Sequence, residues 1–378
     1  MGKWELVSVS EVTNILDNKR VPITASERRS GKYPYYGANG VQDYIDNFIF
    51  DDELVLLAED GGNFGSATRP IAYRVSGKCW VNNHAHVLKP KENLDVDYLC
   101  YSIMFYDVLP LISGTTRAKL NKSALSKMLI PLPPLDIQKR IAAALDTANA
   151  LIEKRKEQIE KLDFLIKSQF IEMFGDPVTN PKGWSVNSLA QHLKVIGGYT
   201  FKSTGYTMTG IPVLRIGNIN TGTLTLNDLV YWTYTESLER YFIYPGDLVM
   251  SLTGTVGKDD YANVCVLPAF FDRYYLNQRN AKLNIFGDLS NMYLLYLLRN
   301  KEIKKKLTGI SRGIRQANIS NSDILSLNVP IPPLSLQNQF AEFVEKVEAQ
   351  KALLQKSLAD MEQNYQSLLQ KCFKGEIF

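Results

Sequence analysis

Residues 129–141 read LIPLPPLDIQKRI and residues 328–340 read NVPIPPLSLQNQF, and the two align without gaps at an offset of 199. Pro131, Pro133, Pro134, Leu135 and Gln138 match Pro330, Pro332, Pro333, Leu334 and Gln337. Upstream, Asn82 matches Asn277 and Tyr98-Leu99 matches Tyr293-Leu294 at an offset of 195. Glu53-Leu54-Val55 resembles Asp247-Leu248-Val249, and Trp4 resembles Trp184. A chain that states one plan twice is constrained to build one unit twice. Each unit is a mixed domain, a Pro-Pro break and a long helix.

Proline fixes its own φ and biases the preceding residue away from the helix. Pro-x-Pro-Pro therefore predicts an extended lead-in, with Asp136 or Ser335 placed to cap the helix that it introduces. From Ile141 the positions Leu145, Ala148, Ile152, Arg155, Ile159, Leu162, Ile166, Gln169 and Met173 step by four and three. From Phe340 the positions Val344, Val347, Lys351, Leu354, Leu358, Met361, Tyr365, Leu368 and Cys372 do the same. Two mostly apolar heptad stripes of equal length predict two helices that pair along this seam. About 37 residues each, at about 1.5 Å per residue, give roughly 55 Å of helix. Gly175-Asp176-Pro177 reads as a stop for the first helix. Copies of one unit that close symmetrically favour an antiparallel pair over a parallel one.

The globular parts read as β-rich. Residues 33–57 alternate aromatic and aliphatic side chains around Tyr36-Gly37-Ala38-Asn39-Gly40 and end in Leu54-Val55-Leu56-Leu57. Residues 211–216 and 247–252 look alike, and short helices are expected at 97–112 and 290–307. No apolar run approaches the roughly 18–20 residues of a membrane span, and the N-terminus does not read as a signal peptide. Four cysteines without Cys-x-x-Cys spacing argue against a disulfide framework or a zinc site and for a reducing cytoplasm. Residues 176–333 hold 16 Lys and Arg against 11 Asp and Glu, whereas residues 1–134 hold 15 of each. That basic second half permits a nucleic-acid partner without demanding one.

The two P-[LI]-P-P-L-x-[IL]-Q stretches before heptads, the run YPYYGANGVQDYIDNFIFDDELVLLAEDGGNFGS…GKCWVNNHAHVLKP, and IGGYTFKS…GIPVLRIGNI together resemble the specificity subunits of type I restriction–modification enzymes. The resemblance covers essentially the whole chain. It implies an α+β chain in which two β-rich target-recognition domains are separated by a pair of long antiparallel coiled-coil helices, a pseudo-two-fold internal repeat. Target-recognition domain 1 is expected at 1–134 and the central helix at 135–175. Target-recognition domain 2 is expected at 176–333 and the C-terminal helix at 334–378. Each domain would read one half of a split site in double-stranded DNA. The helices would set the gap and dock two modification (methyltransferase) subunits, whose core is joined by restriction (motor-nuclease) subunits. No cofactor is expected in this chain; S-adenosylmethionine, ATP and Mg are expected on the partner subunits. The subunit would be cytoplasmic, with no membrane partner and a role in defence against foreign DNA.

No catalytic residues are expected. The chain has no phosphate-binding Gly-x-x-x-x-Gly-Lys-Ser/Thr loop and no Asn/Asp-Pro-Pro-Tyr/Phe motif. A complete enzyme with unfamiliar motifs and a coiled-coil protein that ignores DNA are the alternatives. His84 and His86 form an H-x-H pair, but no further ligand set supports a metal, so none is expected. Asn82, Asn83, His84 and His86 fit either a DNA-facing strand face or a polar turn. The aligned Asn277, Gln278 and Arg279 favour contact, since carboxamides read adenine and arginine reads guanine or phosphate. Gly61-Gly62-Asn63-Phe64-Gly65 and Thr253-Gly254-Thr255-Val256-Gly257 fit tight turns better than phosphate-binding loops. Arg117, Lys119 and Lys122, like Arg312, Arg315 and Asn318, precede each proline lead-in and suit phosphate clamps or solvated loops. Tyr35, Tyr36 and Asn39, with Arg215 and Asn218, are expected in loops that read bases. Lys301 to Lys306 fits a helix's wet face.

Overall fold

The structure, a computed structural model, describes residues 4–114, 117–309 and 316–378. The chain divides into two compact units, Met1–Glu157 with Gln355–Phe378 and Gln158–Leu354. In the first, β1 (Leu6–Ser8), α1 (Val9–Val12) and β2 (Thr13–Ile15) precede β3 (Ser30–Gly37), β4 (Gly40–Ile45), β5 (Phe50–Ala58), β6 (Ala72–Val81) and β7 (Ala85–Pro90). Then come α2 (Val96–Ile103), α3 (Lys122–Ser126), β8 (Leu129–Pro131) and the start of α4 (Leu135–Phe174). Six strands make one sheet in the order β2-β7-β5-β6-β3-β4, antiparallel except for β3 beside β6, while β1 pairs with β8. The apolar run in β5 follows from its place inside the sheet. Leu54 and Leu56 enter one core cluster, and Val55 and Leu57 enter another on the opposite face.

The second unit repeats the plan. Its strands are β9 (Ser185–Ser188), β10 (Leu193–Gly197), β11 (Ile211–Leu214), β12 (Val230–Trp232), β13 (Phe242–Ile243), β14 (Leu248–Ser251), β15 (Thr253–Thr255), β16 (Val264–Val266), β17 (Tyr274–Leu276) and β18 (Asn280–Ile285). They are followed by α5 (Asn291–Arg299), α6 (Lys301–Thr308), β19 (Gln316–Asn318), α7 (Asn321–Leu325), β20 (Asn328–Ile331) and α8 (Leu334–Lys374). The pairs β9–β20, β10–β18 and β14–β18, and the parallel pair β11–β17, reproduce β1–β8, β2–β7, β5–β7 and β3–β6. One difference is large. The continuous β6 of the first unit corresponds to two strands here, β16 and β17, separated by a segment carrying Pro268, and the sheet splits into β10-β18-β14-β16 and β12-β11-β17-β13. Proline has no amide to give a ladder, so the strand does not run through it.

The helix α4 stops at Phe174, where Gly175 takes φ +78 and donates its amide to the Ile171 carbonyl at 2.8 Å. A Cβ at that glycine would meet Pro181 Cγ at 2.8 Å. The expected helix at 97–112 is shorter, Val96–Ile103, and the one at 290–307 is two helices. Asn300 ends α5 and caps α6 by accepting from the Glu302 and Ile303 amides, which is the local signal that breaks it.

In each unit the long helices pack antiparallel. In the first, Ile141, Leu145 and Ile152 near the start of α4 share a core with Tyr365 and Cys372 near the end of α8, and Leu358, Met361 and Leu368 pack against it. In the second, Ile166 joins Phe340, Val344 and Val347, with Leu162 packed alongside. Ile159 and Leu354 are half-buried. The polar interruption Lys351 is spent on an ion pair with Asp163. Beyond Ile166 the buried stripe runs to Phe170 and Phe174 rather than to Gln169 and Met173. There α4 serves Tyr293 of α5 as well as α8: Phe170 stacks on the Tyr293 ring at 5.6 Å and Phe174 meets it edge-on at 4.8 Å.

Candidate nucleic-acid interface

In both units the polar residues singled out from the sequence gather where a parallel strand pair ends. In the first unit β3 and β6 finish together, and Asn82 donates its amide to the Tyr36 carbonyl at 3.0 Å. In the second β11 and β17 finish together, and Asn277 donates to the Leu214 carbonyl at 3.2 Å. The two asparagines thus stand at matching places, as their alignment predicts. Both are buried. Asn82 organises its own turn, accepting the His84 amide at 2.8 Å and donating to Gln42 Oε1 at 3.2 Å.

Under this turn the first unit carries a buried ionic cluster. His86 is fully buried, with Nδ1 2.6 Å from Asp17 Oδ2 and Nε2 2.7 Å from the Leu120 carbonyl. Burial works to raise the Asp17 carboxyl. The bond to His86, that ring's charge, the Val87 amide and Arg20 outweigh it and hold the carboxyl below its ordinary value. The ring is thus held between a carboxylate on one side and a carbonyl on the other. Glu59 receives Arg20 at 2.5 Å and Lys119 at 2.9 Å. Burial pushes its carboxyl up too, but those bonds, together with the charges of His86 and Arg20, bring it below its ordinary value. Asp17, Glu59 and His86 offer ligand atoms close enough to share a cation. Each atom already has a hydrogen-bonding or cationic partner, so the donor set is satisfied by protein charge rather than arranged for a metal.

Around this cluster, His84 Nδ1 lies 2.8 Å and Arg117 Nη2 2.6 Å from Asp60. Asn39 donates to the Gly61 carbonyl at 2.9 Å. Gly61 has φ +64, and a Cβ there would meet Arg117 Nη2 at 3.2 Å; one at Gly62 would meet Ala58 Cβ at 2.4 Å. The glycine loop is a tight turn packed on the sheet. Arg117 and Lys119 are therefore anchored to carboxylates while their side chains stay about half exposed, at 60% and 49%. Asn83 and Lys122 are exposed. Tyr35 and Tyr36 are in β3, not in a loop. The Tyr35 hydroxyl is exchanged with the Ile23 backbone at 3.0 and 3.2 Å, and Arg28 lies 4.2 Å over its ring. Tyr36 leans on Tyr73, and burial raises its phenol. Among the sequence-selected residues, Tyr35, Asn82 and His86 hold the frame, while Asn39, Asn83, His84, Arg117, Lys119 and Lys122 reach its surface.

The second unit replaces the ions with amides. Asn280, fully buried, donates to the Leu214 carbonyl at 2.8 Å. Asn218, also buried, accepts the Arg215 amide at 3.0 Å and donates to the Thr225 and Asn227 carbonyls at 3.1 and 3.2 Å. It is a bracket for its loop rather than a reader. Arg215 donates to the Asp228 carbonyl and lies over the Tyr206 ring. Gln278 is exposed and its Oε1 accepts from the Thr200 hydroxyl. Arg279 is exposed at the rim of an open cavity of about 340 Å³ lined also by Ile216, Asn220, Thr253, Gly254, Thr255 and Asp260. The Thr255 amide and hydroxyl, at 2.8 and 2.9 Å, hold the Asp260 carboxyl below its ordinary value. Asn318 is exposed in β19, paired with Thr253, and Arg312 and Arg315 lie outside the described residues. In the lysine run, Lys304 turns inward to Asp259 and Asn263, and Lys305 pairs with Glu302.

Sequence reasoning missed Asp17, Arg20, Glu59 and Asp60. Acidic residues beneath a surface expected to meet phosphate look unhelpful until their cationic partners are seen. All four cysteines are buried free thiols, and burial pushes Cys79, Cys100 and Cys265 up to about 12.

Comparison with known proteins gives a consistent result. The sequence model of the type I restriction modification DNA specificity domain matches residues 1–161 and again 181–363. A putative type I restriction enzyme specificity subunit of Haemophilus influenzae is 29% identical over 356 residues, covering 90% of this chain and 86% of that protein. The type I restriction–modification S subunit from M. genitalium, solved by crystallography, superposes with a TM-score of 0.59 at 14% identity, covering 98% of this chain and 96% of that one. A chain from a structural study of complex assembly and conformational transition of the type I R-M system gives a TM-score of 0.60 at 18% identity, covering 100% and 98%.

Proposed function

The chain belongs to the family of type I restriction–modification DNA specificity domains, and from that premise we propose that it is a non-catalytic subunit whose two units each read one half of a bipartite site in double-stranded DNA. One observation carries this reading: the same frame is built twice, and the exposed chemistry at the ends of its parallel strands differs between the copies. Asn83, His84, Arg117 and Lys119 occupy one, and Gln278 and Arg279 the other. Two unlike readers on one chain fit an asymmetric site with two half-sites. Anchored cations supply register against phosphate, and free carboxamide and guanidinium groups supply base discrimination.

The helix α4 is one element of 40 residues, about 60 Å at about 1.5 Å per residue. In this reading α4 and α8 set the gap between half-sites and dock two methyltransferase subunits, on which motor-nuclease subunits assemble. Use of S-adenosylmethionine, ATP and Mg then belongs to those partners, and the complex works in the cytoplasm. No helix among the described residues is long and apolar enough to cross a membrane. Footprinting of the chain with its methyltransferase partner should show two protected patches flanking an indifferent gap. Protection without a preferred site, lost as salt rises, would replace this reading with non-specific binding.

A further inference from the structure

The proline straps that join each domain to its long helix are held by a bracket that occurs twice. Proline carries no amide hydrogen, and the partly buried Pro-x-Pro-Pro segments hold carbonyls that take their donors from elsewhere. In the first unit the Tyr98 hydroxyl donates to the Pro131 carbonyl at 2.8 Å. Gln138, fully buried in the first turn of α4, donates from Nε2 to the carbonyls of Pro133 at 2.8 Å and Asn93 at 3.0 Å. Its Oε1 accepts the amide of Asp95, the residue that caps α2, at 2.8 Å. In the second unit Tyr293 donates to Pro330 at 2.7 Å. Gln337, also fully buried, donates to Pro332 at 2.8 Å and Asp288 at 3.0 Å, and accepts from Ser290, the cap of α5, at 2.8 Å.

Each glutamine thus uses its three bonds to tie three things at once: the first turn of a long helix, the strap before it, and the turn at which β7 or β18 hands over to a short helix. Each tyrosine ring also lies on a phenylalanine at the end of the other long helix, Tyr98 on Phe373 at 5.3 Å and Tyr293 on Phe174 at 4.8 Å. None of the bracket's hydrogen-bond partners belongs to the loops at the ends of the parallel strands. Its effect is on the angle at which a domain is held to its helix.

We propose that Gln138 and Gln337 are positioning residues that fix each reading domain on its helix and thereby restrict the complex to one gap length between half-sites. This rests on the two-reader assignment above. Deleting the carboxamide while keeping the volume lets the strap pivot, so the domain samples neighbouring positions along the duplex.

The test uses the full chain with its methyltransferase partner and duplexes carrying both half-sites at the native gap or at one base pair more or less. Wild type should prefer the native gap strongly, and Gln138→Met or Gln337→Met should cut that preference by about tenfold or more while leaving both half-site sequences unchanged. Gln138→Glu, which retains length and the bond from Asp95, serves if Gln138→Met does not fold. Unchanged gap discrimination in folded variants, even with lowered Tm, overturns the inference and makes the glutamines structural alone. If wild type itself shows no bipartite preference, it is the two-reader assignment that fails.

Discussion

The two units solve one problem with different chemistry. Below the turn that follows β6, the first unit balances Asp17 and Glu59 against Arg20, His86 and Lys119. Below the turn that follows β17, the second uses Asn280, and Asn218 closes the neighbouring loop. The matched strand pairs recur in both copies, down to the amide of the matched asparagine donating to the strand beside it. The polar support does not. A repeated fold therefore fixes where a reading surface stands and leaves its composition free to diverge, which is the freedom that two unlike half-sites require.

The sharpest way to break this comparison is to remove one charge from the first unit. Asp17→Asn takes from His86 the carboxylate it is bonded to, while Arg20 keeps Glu59 at 2.5 Å, and loss of one member of a buried ionic set costs about 3–5 kcal/mol. Asn280→Ala in the second unit removes one of two donors to the Leu214 carbonyl, which keeps the Asn277 amide, a loss of about 0.5–1.5 kcal/mol. Denaturant unfolding of the two variants should rank them in that order; equal losses would show that the ionic cluster has no special place.

Acid should separate the units next. Asp17 and Glu59 have folded-state pKa values below their ordinary 3.8 and 4.5. Their contribution is present in full above those ordinary values and is lost as pH falls through the lowered ones. Asn280 and Asn218 do not titrate in this range. Hydrogen exchange, corrected for its intrinsic pH dependence, should show β5 and β7 losing protection before β14 and β18 as the pH drops below about 4. Simultaneous loss would contradict the assignment.

The smallest effect concerns the exposed arginines. Arg117→Ala breaks a half-exposed ion pair with Asp60 and should cost no more than about 1 kcal/mol. Arg279→Ala should leave Tm unchanged, since no partner holds its side chain among the described residues, and should weaken discrimination at a single base position of one half-site by about 1–3 kcal/mol. A uniform loss of affinity across all sequences would make Arg279 a phosphate contact instead.

The sequence alone determined the repeat, the two long helices and the stop of the first at Gly175, because proline stereochemistry and heptad spacing act locally and state their period openly; it favoured antiparallel pairing only through the symmetry of the repeat. It also aligned Asn82 with Asn277 and Gln138 with Gln337. It did not say that His86 and Asn218 face inward, since alternation along a strand shows which residues share a face but not what lies against it. Nor did it pair Asp17 with His86 across 69 positions, or Gln138 with Asn93 and Asp95. Those partners meet only when the sheet closes. Which polar residue is buried and satisfied, and which is left at the surface to meet another molecule, is decided by tertiary packing, because satisfaction belongs to the pair and not to the residue.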